Sequence, residues 1–510
     1  MVISIQRLKD ISANAAICAL VLVPDIYARF RLNQAFSPDI VVYLTFFWLL
    51  VAASTSSVLF RFSAVSLLIL NVIYLHIAKT WGPFGLSDRV EAMLESPTGE
   101  SIEYLRTYLT LGDVKILSYA IVTGLLIFKN NATGTGPYKL LAALLATFLV
   151  ISTFLASQPN FIVHSFSAIP IAIADASVRV ARYGDRETLL AQRKRTPLVC
   201  TEHYQNVLIV LGESVNRRYM GIYGYPFNNT PFMSALKPLV FEAISPANLT
   251  RLSIPMMLTK AKVADFDRLF IEPSIVSELE DCGYRTYWIS NQSGLGRNNR
   301  SSSSIGSEAE YSVFYDSPSR ESSGRSQDDE WLVAEVRRAL RGESHQKAIF
   351  VHLMGSHFEY SGRYPEKFRG KRAENFTEEY VTSIQYTDYV LSKLYELFSK
   401  RSLLLVYASD HGEAVGEAFT VNGLTLHGHG LSPPLKDEYE IPLVVWSSRP
   451  ARAQSVFQAS RGRTINTESF DGLVRYLVGM SDGADISYSD LTLAGSEDKA
   501  VEYSSLDKLQ

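Results

Sequence analysis

The chain has 510 residues, a formal net charge of −3 and 47% hydrophobic residues. That length exceeds one ordinary domain and fits two or three, and the near-neutral balance excludes the basic excess of a nucleic-acid partner. Hydropathy is uneven: apolar runs dominate before about residue 160, and ordinary globular composition takes over after about residue 200.

In chain order, Arg7 and Lys9 precede an apolar stretch at 11–27. No small-residue cleavage site follows it, so a retained first membrane helix is expected rather than a signal peptide. Residues 40–60 carry no charge over a length that spans a bilayer. Further candidates are 62–78, 116–128 and 140–157, the fourth reaching spanning length only with Asp113 and Lys115 included. Five spans with a cytoplasmic N-terminus put everything after residue 160 on the outer face. Arg7, Lys9, Arg61, Lys129 and Lys139 then lie inside, as the positive-inside tendency favours, while Arg29, Arg31 and Arg89 lie outside. Residues 80–112 read as a solvated connection. Residues 161–195, ending in Gln192-Arg193-Lys194-Arg195, suit a juxtamembrane bridge near anionic head groups or a plain linker helix.

From Asn206 the pattern alternates between strands (207–211, 284–289, 348–353, 403–407, 441–446) and helices (274–280, 331–341, 380–398). This predicts a mostly parallel or mixed sheet with helices on both faces, an α/β fold. The Ser- and Gly-rich stretch 297–325 reads as a long polar loop, mobile or near the substrate entrance. The expected organisation is a transmembrane helical domain at 1–158, bridging helices at 159–203 and an extracytoplasmic catalytic domain at 204–510. Of the three cysteines, Cys18 lies in an apolar segment. Cys200 and Cys282 remain as one disulfide or two free thiols, and the sequence leaves both open.

Unbroken apolar strands are buried on both faces, and polar groups at their carboxyl ends sit where open α/β sheets bind ligands. Three strands end in metal-capable residues: Glu213, His357 and the pair Asp410 and His411. Five of the nine histidines fall between residues 352 and 429. Each residue alone is unremarkable; parallel strands gathering all of them at one edge is the signal. Carboxylates with imidazoles suit a borderline metal such as zinc. In Asn248-Leu249-Thr250-Arg251-Leu252-Ser253-Ile254-Pro255, a threonine at a helix start beside a cation becomes a usable nucleophile, with the helix amides facing phosphoryl charge. Pro255 is expected in the first turn of that helix.

The segment Val207-Leu208-Ile209-Val210-Leu211-Gly212-Glu213-Ser214, with Tyr223-Gly224-Tyr225 and Asn229-Thr230-Pro231, resembles the opening of the phosphoethanolamine transferases, membrane-anchored enzymes of the alkaline phosphatase and sulfatase superfamily. The Thr-x-x-Ser-x-Pro spacing from Thr250, the stretch from His352 to His357, Arg363-Tyr364-Pro365, Tyr386-Thr387-Asp388-Tyr389, Ser409-Asp410-His411-Gly412-Glu413 and Leu426-His427-Gly428 continue the resemblance in the family's order. It implies a sulfatase-like α/β domain behind a five-helix anchor. It also implies catalytic zinc, one ion with a second left open, on Glu213, Thr250, Asp410 and His411, with Thr250 the nucleophile. His357 and His427 would hold the substrate phosphate, a second zinc or the leaving-group proton, and His352 would support the site. Asn291 and Arg251 are further candidates for substrate contact, and Arg251 suits a structural salt bridge equally well. The implied donor is phosphatidylethanolamine, and the acceptor is a lipopolysaccharide core sugar, lipid A or a periplasmic glucan. The location implied is a bacterial inner membrane with the catalytic domain in the periplasm. His429 stands outside the usual motif, either backing the residues around the ion or simply exposed. A phosphoglycerol transferase of the same superfamily and a non-catalytic membrane receptor are the alternatives. A sulfatase is disfavoured, because position 250 is Thr and no Cys-x-Pro-x-Arg motif occurs.

Overall fold

In a computed structural model of the chain, the described residues are 57–81, 111–129 and, with short breaks, 197–507, with scattered positions between 17 and 192. They belong to two compact units. The first contains helices α1 (Ser57–Trp81) and α2 (Leu111–Lys129). These include the expected segments 62–78 and 116–128; the segments 11–27, 40–60 and 140–157 lie wholly or largely outside the described residues. Arg61, taken as the break between two segments, instead sits inside α1 and donates to the Phe128 carbonyl at 3.0 Å. The last carbonyls of a helix lack partners within it, and Arg61 serves one of those of α2 without ending its own helix. Asn71 donates to the Val21 carbonyl at 3.0 Å, and His76 meets Asp113 at 2.7 Å. Among the described residues, no helix is long and apolar enough to cross a membrane.

The second unit is built on an eight-stranded sheet, in spatial order β10-β2-β9-β6-β1-β5-β3-β4. Its strands are β1 (Asn206–Gly212), β2 (Leu239–Ile244), β3 (Arg285–Ser290), β4 (Tyr311–Val313), β5 (Lys347–His352), β6 (Leu403–Ser409), β9 (Glu440–Ser447) and β10 (Ile465–Asn466). Strands β7 (Ala414–Val421) and β8 (Leu424–Gly428) pair with each other, as do β11 (Leu491–Ala494) and β12 (Lys499–Glu502). Central β1 is parallel to both neighbours, β5 and β6, and β3 continues the parallel run beyond β5.

Every residue of β1, β5 and β6 is buried, because helices cover both faces. Along β1, Val207, Ile209 and Leu211 enter one core while Leu208 and Val210 enter the other, the two-residue period of a strand serving two layers. The first core is completed by α4 (Thr250–Leu258), α5 (Ile275–Asp281), α9 (Ala451–Ala459) and α10 (Phe470–Leu477); the second by α7 (Glu330–Ala339) and α8 (Phe376–Glu396). Cys200 and Cys282 are disulfide-bonded, with Cα atoms 5.7 Å apart.

Strand β9 runs antiparallel to β6 and β2, so the sheet is mostly parallel and mixed, as expected. Two readings change. The Ser-rich stretch 297–325 contains α6 (Arg300–Gly306) and edge strand β4. There Ser301, Ser302 and Ser304 are buried, their small side chains allowing a close approach; a Cβ on Gly306 would stand 2.7 Å from the Trp288 ring. Pro255 lies in the interior of α4, beyond its first turn.

Candidate active site

The carboxyl ends of β1, β3, β5 and β6 share one edge, and β2, parallel to β6 through antiparallel β9, delivers the loop to α4 there as well. Glu213 follows β1. The next residue, Ser214, adopts a left-handed φ of 59°, costly for a residue with a Cβ. This turn aims its amide at Asp410 Oδ1, 3.2 Å away, and its hydroxyl donates to Glu213 Oε1 at 2.7 Å. Gly355, after β5, has φ 53°, and a Cβ there would lie 2.9 Å from the Glu213 backbone; glycine alone lets the two loops touch.

Thr250 is the first residue of α4. Its Oγ1 donates to Glu213 Oε2 at 3.1 Å and lies 3.2 Å from His411 Nε2. That same imidazole nitrogen is 3.3 Å from Glu213 Oε1 and 3.4 Å from Asp410 Oδ2. Its other nitrogen, Nδ1, lies 2.8 Å from the Gly412 carbonyl, a contact that presents Nε2 to the cluster. Glu213, Asp410 and His411 are completely buried. Burial opposes ionisation of Glu213, but the neighbouring His411 outweighs it and holds the carboxyl well below its usual range. Burial, and then Glu213, push the Asp410 carboxyl up to about 7. Burial alone would lower His411, and Asp410 with Glu213 raises it to about 10. Asp410 Oδ2 is buried with no hydrogen-bond partner among the described residues. An orphaned carboxylate oxygen beside a second carboxylate, an imidazole and a hydroxyl is a donor set that fits a zinc ion.

The four residues expected to hold metal are therefore brought together. His352 ends β5, buried, with Nδ1 3.3 Å from Ser290 Oγ and its ring against Trp288. Burial lowers it to about 4, so the ring is neutral near pH 7. His357 is half-buried, its ring centroid 6.0 Å from that of His429. His427 lies on β8, and its side chain is outside the described ones. Asn291 is turned into a structural network, donating to Asp329 at 2.8 Å and accepting from Trp331 at 2.7 Å. Arg251, the second residue of α4, is buried.

Sequence reasoning gave no role to Gln292 or Glu413 and left His429 open between a supporting residue and an exposed one. Gln292, next to Asn291, donates to Glu213 Oε2 at 2.8 Å. Glu413, buried, accepts from the Tyr360 hydroxyl at 2.6 Å and lies 2.7 Å from His429 Nδ1. His429 thus belongs to the site, its ring centroid 4.2 Å from that of His411. The unplaced His429 was itself the available signal; nothing in the sequence distinguished Gln292.

The sulfatase family profile matches residues 205–471, more than half of the chain. The chain belongs to the sulfatase family. Within it, the chain is 26% identical over 403 residues to the phosphoethanolamine transferase EptC of Escherichia coli K12, covering 71% of this chain and 69% of that protein. It is 26% identical over 426 residues to the phosphoethanolamine transferase EptA of Helicobacter pylori, covering 78% and 77%. Among solved structures, the periplasmic domain of Escherichia coli EptC in complex with Zn aligns with a TM-score of 0.53 at 26% identity, covering 61% of this chain and 98% of that one. The integral membrane lipooligosaccharide phosphoethanolamine transferase A from Neisseria meningitidis aligns with a TM-score of 0.65 over 93% of this chain and 96% of that one; at 19% identity it shares the fold. The chain thus resembles the phosphoethanolamine transferases of the sulfatase family, and its edge cluster lies within the family match.

Proposed function

We propose that this chain transfers phosphoethanolamine from phosphatidylethanolamine, through a phosphothreonine at Thr250, to an envelope glycan or lipopolysaccharide acceptor. The observation that carries the reading is the Thr250 hydroxyl lying 3.1 Å from Glu213 and 3.2 Å from His411. Relatives named for phosphoethanolamine transfer, among them a Kdo(2)-lipid A 7''-transferase of Escherichia coli K12, support the substrate class.

Glu213, Asp410, His411 and Thr250 would hold one zinc ion, whose charge lowers the hydroxyl pKa and neutralises phosphoryl charge. Thr250 Oγ1, its proton released to water, attacks phosphorus; the Oγ1–P bond forms, the bond to the diacylglycerol oxygen breaks, and that oxygen takes up a proton. An acceptor hydroxyl or phosphate then displaces Thr250 in a second in-line step. Positioning and electrostatics supply most of the rate in such transfers. The first-turn amides of α4 face the phosphoryl oxygens, and His357 and His427 bind them or supply the leaving-group proton. In this reading residues 1–158 anchor the chain in the inner membrane, 159–203 form the bridge and 204–510 form the periplasmic catalytic domain. Keeping the site at the bilayer suits a donor that does not leave it.

The test is donor-lipid turnover by wild-type chain and Thr250→Ala. Diacylglycerol release from phosphatidylethanolamine by wild type and its loss in the variant are expected. Release from phosphatidylglycerol alone would instead make the chain a phosphoglycerol transferase.

A further inference from the structure

The loop leading to Thr250 is far in sequence from the Asp410-His411 loop and the segment carrying His429, and one buried carboxylate ties all three together. Glu438 is completely buried. Its Oε2 accepts from Asn248 Nδ2 at 2.9 Å and from the Leu431 amide at 2.9 Å, and its Oε1 accepts from the Leu435 amide at 2.5 Å. Its own carbonyl accepts from the Gly412 amide at 2.7 Å. Asn248 lies two residues before Thr250, Leu431 two after His429, and Gly412 beside His411.

Backbone packing at the same point is equally tight. A Cβ on Gly412 would stand 2.3 Å from the Asp437 carbonyl oxygen, and one on Gly430, whose φ is 63°, would stand 2.8 Å from Leu249. Leu249 occupies the N-cap of α4 and makes no side-chain cap. The start of the nucleophile helix therefore lacks the usual polar anchor, and Asn248 provides one a residue earlier. Burial pushes the Glu438 carboxyl up to about 8. An apolar side chain would fill this space without the cost of burying a carboxyl group, but it would not hold three site-bearing segments in register.

We propose that Glu438, acting through Asn248, is a positioning residue for the first phosphoryl transfer, setting the Thr250 hydroxyl against Glu213 and His411. The inference rests on the transferase reading above. Its test uses the full-length chain in detergent with fluorescent phosphatidylethanolamine, comparing wild type, Asn248→Ala, Glu438→Gln and the double variant. Each single variant is expected to form phosphothreonine ~10–100-fold more slowly in a single turnover, and the double variant no more slowly than the slower single. KM for the lipid stays within about 3-fold of wild type, and zinc bound per chain and the unfolding midpoint of Asn248→Ala are unchanged. Should Glu438→Gln fail to fold, Asn248→Ala alone decides. A wild-type rate in Asn248→Ala, a slowing that tracks lost zinc or a lowered midpoint, or single effects that multiply in the double variant overturns the positioning role. A wild type that forms no phosphothreonine overturns both this role and the reading beneath it.

Discussion

Glu213 is held by the adjacent Ser214 on one oxygen and by Thr250 and Gln292, distant in sequence, on the other. Hydrogen bonds behind a ligating carboxylate fix its orientation, and removing one typically costs ~10–100-fold in metal affinity. Gln292→Ala is therefore expected to weaken zinc binding by about that factor, read by competition with a chromophoric chelator; unchanged affinity would show that Ser214 and Thr250 suffice to orient the carboxylate. The gathering of these residues was legible, since Glu213, Asp410 and His411 each follow an unbroken apolar strand. The choice between Asn291 and Gln292 was not. Neighbouring side chains leaving a strand point to opposite sides, and composition does not say which side faces the site.

The α8 helix shows how one element supports another from the far core. Asp388 accepts amide hydrogens from Phe232 and Met233 at 2.8 and 3.0 Å, in the first turn of α3 (Pro231–Leu236). Burial outweighs those donors and raises its carboxyl from 3.8 to about 6. The folded value stands above the unfolded one, so the unfolded chain releases its proton first. Stability should then fall as pH rises through about 4 to 6, by roughly 3 kcal/mol at most. Denaturant midpoints across that range should lose this slope in Asp388→Asn; an identical slope would assign it elsewhere. Helix α8 was readable from its apolar period, as were α5 and α7. Strand β2 was not, because Glu242 is exposed and Leu239 and Val240 are half-buried, so its pattern lacks the clean run of a central strand. Helix α6 was masked by serines, whose polarity suggests a loop although they are buried here.

At the scale of the molecule, the Cys200–Cys282 bond spans 82 residues and joins the segment before β1 to the end of α5. Closing a loop of that length restricts the unfolded chain by up to about 4.5 kcal/mol. Cys282→Ser should lower the unfolding free energy by ~2–4 kcal/mol, and reduction of the wild type should match it; no change would mean that the unfolded chain is already held compact. An oxidised pair suits an extracytoplasmic compartment. Bonded and free thiols could not be told apart from sequence, because pairing depends on Cα distance. The sequence did resolve the order of motifs, since a parallel sheet turns separate strand ends into one edge. The buried arginine Arg186, which meets Glu308 at 2.5 Å and the Leu269 carbonyl at 2.8 Å, ties its segment into the second unit, a contact invisible in a run that mixes apolar and basic residues.

The most direct measurement is peptide mass spectrometry of the full-length chain after brief incubation with phosphatidylethanolamine and no acceptor. Thr250 should carry phosphoethanolamine, and the peptide from Thr250→Ala should carry none. An adduct on any other residue, or undiminished head-group transfer by Thr250→Ala, would contradict a nucleophile held between Glu213 and His411.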